Sequence, residues 1–269
     1  MVRHECGEAL GAISSTSSIP ILQQAIDQNP TKPEISETCS LAISFIEWKL
    51  NGGIEGDIDQ PMVCACMLNP YSSVDPAPPH PKHVSLSTKE IGSILHDHNV
   101  SLFERYRAMF SLRNRGDKDC IYELGYALIH DTSSALLRHE IAYVLGQIQS
   151  ADSIDVLKIS LERKDEHVMV RHESAEALGA IEERWDEVEA ALTLFLEDED
   201  ITVRESCVVA LDAADYWGRS QGGNGNEGDL DGEEEEVEET EAEINENQKV
   251  DSTLSFAQQK SQPVHQILK

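Results

Sequence analysis

The chain has 269 residues, with 50 Asp or Glu against 21 Lys or Arg, and its formal charge of −29 excludes a general nucleic-acid binder, whose phosphate contacts come from clustered Lys and Arg. Mean hydropathy is −0.37, and no apolar run approaches the roughly 18 residues that a membrane span needs, so no membrane association is expected. The start Met1-Val2-Arg3-His4-Glu5 lacks the order of a secretory signal; a cytoplasmic protein with reduced cysteines is expected.

Composition divides the chain into four stretches. Residues 1–50 read as helix, with apolar residues at helical spacing in Glu8-Ala9-Leu10-Gly11-Ala12-Ile13 and in Ser40-Leu41-Ala42-Ile43-Ser44-Phe45-Ile46. Residues 51–83 hold Pro61, Pro70, Pro76, Pro78, Pro79, Pro81 and the pair Gly52-Gly53, which cannot sustain a helix and read as a linker. The close pair Cys64-Ala-Cys66 falls here, and without a second pair or a His cluster it reads as loop cysteines rather than a metal clip. Ser87-Thr88-Lys89-Glu90 has the form of a capping box, and helical patterning continues from it to about Trp217, giving a stretch 84–217. Residues 218–269 begin with glycine and then turn acidic, with twelve Asp or Glu and no Lys or Arg between Ser220 and Glu246; disorder is expected.

Internal repeats carry more information than composition. Val170-Arg171-His172-Glu173-Ser174-Ala175-Glu176-Ala177-Leu178-Gly179-Ala180-Ile181 matches residues 2–13 with two differences, at an offset of 168. A shorter step of 33 relates Arg138-His139-Glu140 to Arg171-His172-Glu173 and then to Arg204-Glu205-Ser206, where the His is lost. A period near 33 with two amphipathic stretches predicts an all-α solenoid of helical hairpins. The long offset predicts two duplicated halves, and Glu37-Thr38-Cys39 against Glu205-Ser206-Cys207 agrees. In that scheme 1–50 is the remnant of the first half. At the same offset His139-Glu140 has no counterpart, because the matching position would precede Met1, so an N-terminally shortened chain, of low or no activity, is expected.

Three His-Glu pairs stand at equivalent places: His4-Glu5, His139-Glu140 and His172-Glu173. Neutral imidazole with carboxylate is the donor set of iron sites with two His and one carboxylate, and stacked hairpins would bring the pairs together. The alternative is an inter-repeat salt-bridge ladder in which the His fills a groove. His172 lies off the apolar stripe Val170, Ser174, Ala177, Ile181, which weakens that alternative. His80, His83, His96 and His98 form no comparable set and are expected to be solvated. No phosphate loop or nucleophile motif is present.

The three His-Glu phrases, Asn69-Pro70-Tyr71 with Ser73-Val74-Asp75-Pro76-Ala77-Pro78-Pro79, and Leu102-Phe103-Glu104-Arg105-Tyr106-Arg107-Ala108-Met109-Phe110 with Leu112-Arg113-Asn114 resemble the deoxyhypusine hydroxylase family over most of residues 1–217. The resemblance implies a HEAT-repeat monooxygenase with two Fe2+ and O2 as co-substrate. Its partner would be translation initiation factor 5A carrying deoxyhypusine, on which it completes hypusine synthesis. It further implies a metal site of the six motif residues His4, Glu5, His139, Glu140, His172 and Glu173, with no catalytic residues beyond these metal ligands. Glu140, also in a motif, matches a substrate-side glutamate that holds the amine. A HEAT scaffold or bilin-lyase-like binding module is the competing possibility, and fold alone does not separate the two.

Overall fold

A computed structural model describes residues 2–53, 69–71 and 73–221, and among these there are helices and turns but no strand. Helices α1 (Val2–Ile13), α2 (Ile19–Gln28) and α3 (Pro33–Leu50) are followed by α4 (Thr88–His96), α5 (Leu102–Arg115), α6 (Lys118–His130) and α7 (Ala135–Ile148). Then come α8 (Ile154–Glu162), α9 (Val168–Gly179), α10 (Trp185–Thr193) and α11 (Ile201–Gln221). The pairs α2/α3, α4/α5, α6/α7 and α8/α9 pack as hairpins, and α1 lies on α3 as α7 lies on α9.

The repeat step read in the sequence is the register of the fold. Helices α5, α7, α9 and α11 begin at 102, 135, 168 and 201. Each is preceded by a capping side chain: Ser101 accepts from the amide of Glu104, Ser134 from Leu137, His167 from Met169 and Asp200 from Thr202. The capping box read at Ser87 is formed in full at the start of α4. Close helix contact is set by glycine: a Cβ on Gly146 would stand 2.9 Å from Ala177 Cα, and one on Gly179 2.6 Å from Ala210 Cβ.

The core divides in two. A large cluster runs from Leu41 of α3 and Ala77 through α4 to Ala210 of α11 and takes in Tyr106, Phe110, Leu137, Leu145, Val170 and Leu178. A small one, Leu22, Ile35, Cys39, Ala42 and Ile46, holds α2 to α3.

Several sequence expectations need correction. The described end of the proline-rich stretch is no slack linker: Arg113, fully buried, donates to both oxygens of Asp75 at 2.8 and 2.6 Å, and Arg107 Nε donates to the Pro78 carbonyl at 2.9 Å. Such contacts join positions far apart in sequence and leave no local pattern. His83 is buried rather than solvated, with Nδ1 2.7 Å from Ser111 Oγ. His96 lies near Glu123 and His98 near Asp131. The last helix extends past Trp217 to Gln221; the rest of the stretch expected to be disordered, and the Cys64/Cys66 pair, lie outside the described residues. By chain contacts the fold forms one compact unit over Met1–Ala214, and Asp215–Lys269 is a separate one.

Candidate metal centre

The Arg of each repeated phrase and its His-Glu do different things. Arg105, Arg138 and Arg171 point along the stack: Arg105 pairs with Asp131, Arg138 with Glu166 at 2.8 and 2.6 Å, and Arg171 with Asp198 at 3.1 and 2.6 Å. These arginines are the inter-repeat ladder. The His and Glu that follow Arg138 and Arg171 take no part in it and face one another.

There α1, α7 and α9 meet. The rings of His4 and His139 stand edge to face with centroids 5.2 Å apart. His139 Nε2 lies 3.3 Å from Glu173 Oε2, and His172 Nε2 lies 4.0 Å from the same oxygen. All three predicted His-Glu pairs are thus in one place, although α1 and α7 lie far apart in sequence. Glu140 is buried within the same region, and Glu5 is the exposed member.

Two carboxylates escaped the sequence reading. Glu8 Oε1 is 3.4 Å from His4 Nε2, and Glu176 Oε1 is 3.4 Å from His172 Nδ1. The signal was present: both occupy the fourth place after the His in the repeated phrase, one helical turn on. In α7 that place holds Tyr143, whose hydroxyl accepts from Gln147 at 3.1 Å. The potential ligand atoms of His172, Glu173 and Glu176 all lie within 4.8 Å of one another, close enough to share a cation.

The electrostatics fit a cation. Burial holds His4 down at about 3, aided by the neighbouring His139, and burial holds His139 at about 4, so both rings are neutral at pH 7 with a lone pair available. Burial raises the Glu173 carboxyl to about 7, and burial together with neighbouring carboxylates raises Glu8 and Glu176 to about 8 and Glu140 well above its usual range. Among the described residues, His4 Nε2 and both ring nitrogens of His139 are buried with no hydrogen-bond partner. Orphaned imidazole nitrogens amid crowded carboxyls are costly. A divalent ion bound by this His and carboxylate set would relieve both.

Beside the site, a cleft of about 270 Å³ is lined by Glu5, Glu8, Thr38, Phe45, Val74 and Pro76, acidic at one end and apolar along its wall.

The comparisons fit this arrangement. The family model of the PBS lyase HEAT-like repeat matches residues 2–28 and 137–163, which cover α1 with α2 and α7 with α8. Deoxyhypusine hydroxylase of Danio rerio is 45% identical over 167 residues, 61% of this chain and 50% of that protein. The one from Saccharomyces cerevisiae is 44% identical over 165 residues, 61% of this chain and 48% of that protein. A solved structure of human deoxyhypusine hydroxylase in complex with glycerol is similar with TM-score 0.69 and 42% identity, covering 80% of this chain and 68% of that one. The chain belongs to the deoxyhypusine hydroxylase family. It spans about half the length of the curated relatives it matches. The HEAT-like match describes the repeat unit that a scaffold or lyase would share, whereas similarity to the hydroxylases extends over 61% of the chain in sequence and 80% in structure.

Proposed function

We propose that the chain acts in deoxyhypusine hydroxylation, adding a hydroxyl to the deoxyhypusine side chain of translation initiation factor 5A, the last step of hypusine biosynthesis. The observation that carries this reading is the convergence of His4, His139 and His172 with Glu173 in a buried, neutral-imidazole cluster. Ferrous iron at this place supplies reactivity toward O2.

The ligands in this reading are His139, His172 and Glu173, with Glu176 alongside, and His4 with Glu5 and Glu8 on the facing helix. Glu140 serves the substrate: an incoming ammonium offsets the desolvation that keeps its carboxyl protonated, so binding the amine drives its ionisation and forms a charge-assisted contact. The apolar wall at Phe45, Val74 and Pro76 takes the methylene chain and keeps water off it. A chain of net charge −29 attracts a basic protein substrate from a distance. The same reading places the protein in the cytoplasm and takes 1–50 and 84–217 as related halves joined through 51–83, with 218–269 as a tail.

The test is iron content together with turnover. Purified protein loaded anaerobically with ferrous iron should bind it, and whatever oxygen it adds in air to deoxyhypusine-bearing factor, at the low turnover expected of this chain and read by mass spectrometry, should depend on that iron; His172→Ala should lose both. Equal iron in a variant lacking His139, His172 and Glu173 would overturn the assignment.

A further inference from the structure

In α3 and α11 the position of the His-Glu pair is held by other residues. Aligned by the repeat register, Arg204-Glu205-Ser206 follows Arg171-His172-Glu173, and Ser36-Glu37-Thr38 stands in the same relation to Arg3-His4-Glu5. Read by sequence alone, the phrase at Arg204 is a copy that has lost its His, and Glu37-Thr38 matches it in the other long repeat. In the fold they do something specific. His172 Nδ1 is 2.5 Å from Ser206 Oγ, and His4 Nδ1 is 2.7 Å from Thr38 Oγ1. Both contacts span the same separation in sequence, and they fall at equivalent places of the two long repeats.

We propose that Ser206 and Thr38 are positioning residues that hold the proton of His172 and His4 on Nδ1 and so present Nε2 of each ring, as a lone pair, to the metal position; the proposal rests on the metal-centre reading above. A hydroxyl has one hydrogen to donate. Ser206 Oγ directs it to the Thr202 carbonyl at 2.7 Å, and Thr38 Oγ1 to the Glu34 carbonyl at 2.8 Å, each one turn back on its own helix. What remains on the oxygen is acceptor capacity, so the facing Nδ1 must donate. A neutral imidazole carries one N–H, which leaves Nε2 unprotonated. On the Nε2 side of His4 stand the carboxyls of Glu8 and Glu5, at 3.4 and 3.9 Å, so the lone pair faces the groups that would share a cation with it. Glu176, on the Nδ1 side of His172, is a second acceptor of the same sense.

His139 shows the rule from the other side. The residue that faces it at the equivalent place on the next helix is Glu173, whose Oε2 lies 3.3 Å from Nε2, and neither ring nitrogen has a hydrogen-bond partner. The hydroxyl is found where the next helix brings no ligand of its own. Partners of this kind fix the orientation of metal-bound His, and their loss weakens metal affinity by roughly 10- to 100-fold.

Two readouts test this on the full chain, both by comparing wild type with Ser206→Ala and with Ser206→Thr, the residue that position 38 carries naturally. The first is the tautomer of His172 in metal-free protein, from long-range proton–nitrogen NMR with 15N-labelled histidine. The Nδ1–H form is expected in wild type and Ser206→Thr and is lost or mixed in Ser206→Ala. The second is Co2+ affinity by titration of its visible absorption, expected to fall roughly 10- to 100-fold in Ser206→Ala and to return in Ser206→Thr. A His172 protonated on Nε2 in wild type, or a Ser206→Ala variant with unchanged tautomer and unchanged Co2+ affinity, overturns the proposal. If the tautomer changes as expected but no variant, wild type included, binds Co2+, the metal centre falls while the hydroxyl's hold on the ring stands.

Discussion

His139 is a poor residue for stability and a good one for binding. Its ring is buried with both nitrogens unpartnered, an arrangement whose cost is on the order of 1–3 kcal/mol per orphaned polar group. Replacing it by an apolar side chain of similar size removes that cost along with the ligand. His139→Leu is therefore expected to melt at the same or a higher temperature than metal-free wild type while its metal affinity falls at least tenfold. A clear drop in melting temperature without metal would show that the ring contributes to packing. Asp131 behaves in the opposite way. Its carboxylate accepts from the amides of Ser133 and Ser134 in the turn between α6 and α7, pairs with Arg105, and has His98 Nε2 at 3.1 Å. Burial alone would raise its pKa, but the hydrogen bonds from Arg105 and the turn amides of Ser134 and Ser133 carry it below the usual aspartate range. A lowered pKa means a contribution fully present above the unfolded value and lost as pH falls through the folded one. Asp131→Asn should thus cost about 3–5 kcal/mol near pH 7, and the gap to wild type should narrow below about pH 4 in denaturant titrations. A gap that stays constant through that acid range would assign the loss to the geometry of the turn instead.

Helices were readable from the sequence because the signals that fix them are local. The Ser87 capping box and the apolar stripe Val170, Ser174, Ala177, Ile181 each sit within a few turns, and all four stripe residues are buried. The His-Glu pairs were readable because a phrase recurring in one register is brought to one side of the stack. Three things were not. Asp75 and Arg113 meet across a long stretch of chain; Ser206 looked like the residue of a lapsed repeat and Thr38 like no more than its match in the other one; and Glu8 and Glu176 belonged to the repeated phrase but resembled the acidic face of any helix in so acidic a chain. Where helices meet, the glycines make a prediction of their own. In a helix interior Gly→Ala ordinarily gains up to about 1 kcal/mol. At Gly146 the added Cβ would meet Ala177 Cα at 2.9 Å and Ala177 Cβ at 3.0 Å, and overpacking of that kind costs about 1–3 kcal/mol. Gly146→Ala should lower the melting temperature by several degrees; a rise would mean that α7 and α9 can separate freely.

Compactness sets a boundary for the chain. Contacts divide it after Ala214, and the composition beyond 221 offers little apolar surface for docking. A chain ending at Gln221 is expected to unfold at nearly the same temperature as the full-length protein by calorimetry. A fall of many degrees would place part of 222–269 against the helices. The small core of α2 and α3 is joined to the large one through Leu41 of α3, which packs into the large cluster, and through polar contacts: Ser134 Oγ donates to Glu37 at 2.7 Å, and His4 meets His139.

That junction also dictates when the site can exist. Helical hairpins close over short stretches and form early, while contacts distant in sequence come late. His4 leaves the ribosome long before His172, by an interval on the order of ten to thirty seconds at ordinary rates of synthesis. For that time the imidazole of α1 has no neighbour from α9, and the first hairpin must persist on its small core alone. A nascent chain halted at the end of α8 therefore holds His4 and His139 but no closed pocket. Capture of a metal ion becomes an event that follows synthesis of α9 rather than one that accompanies the first helices.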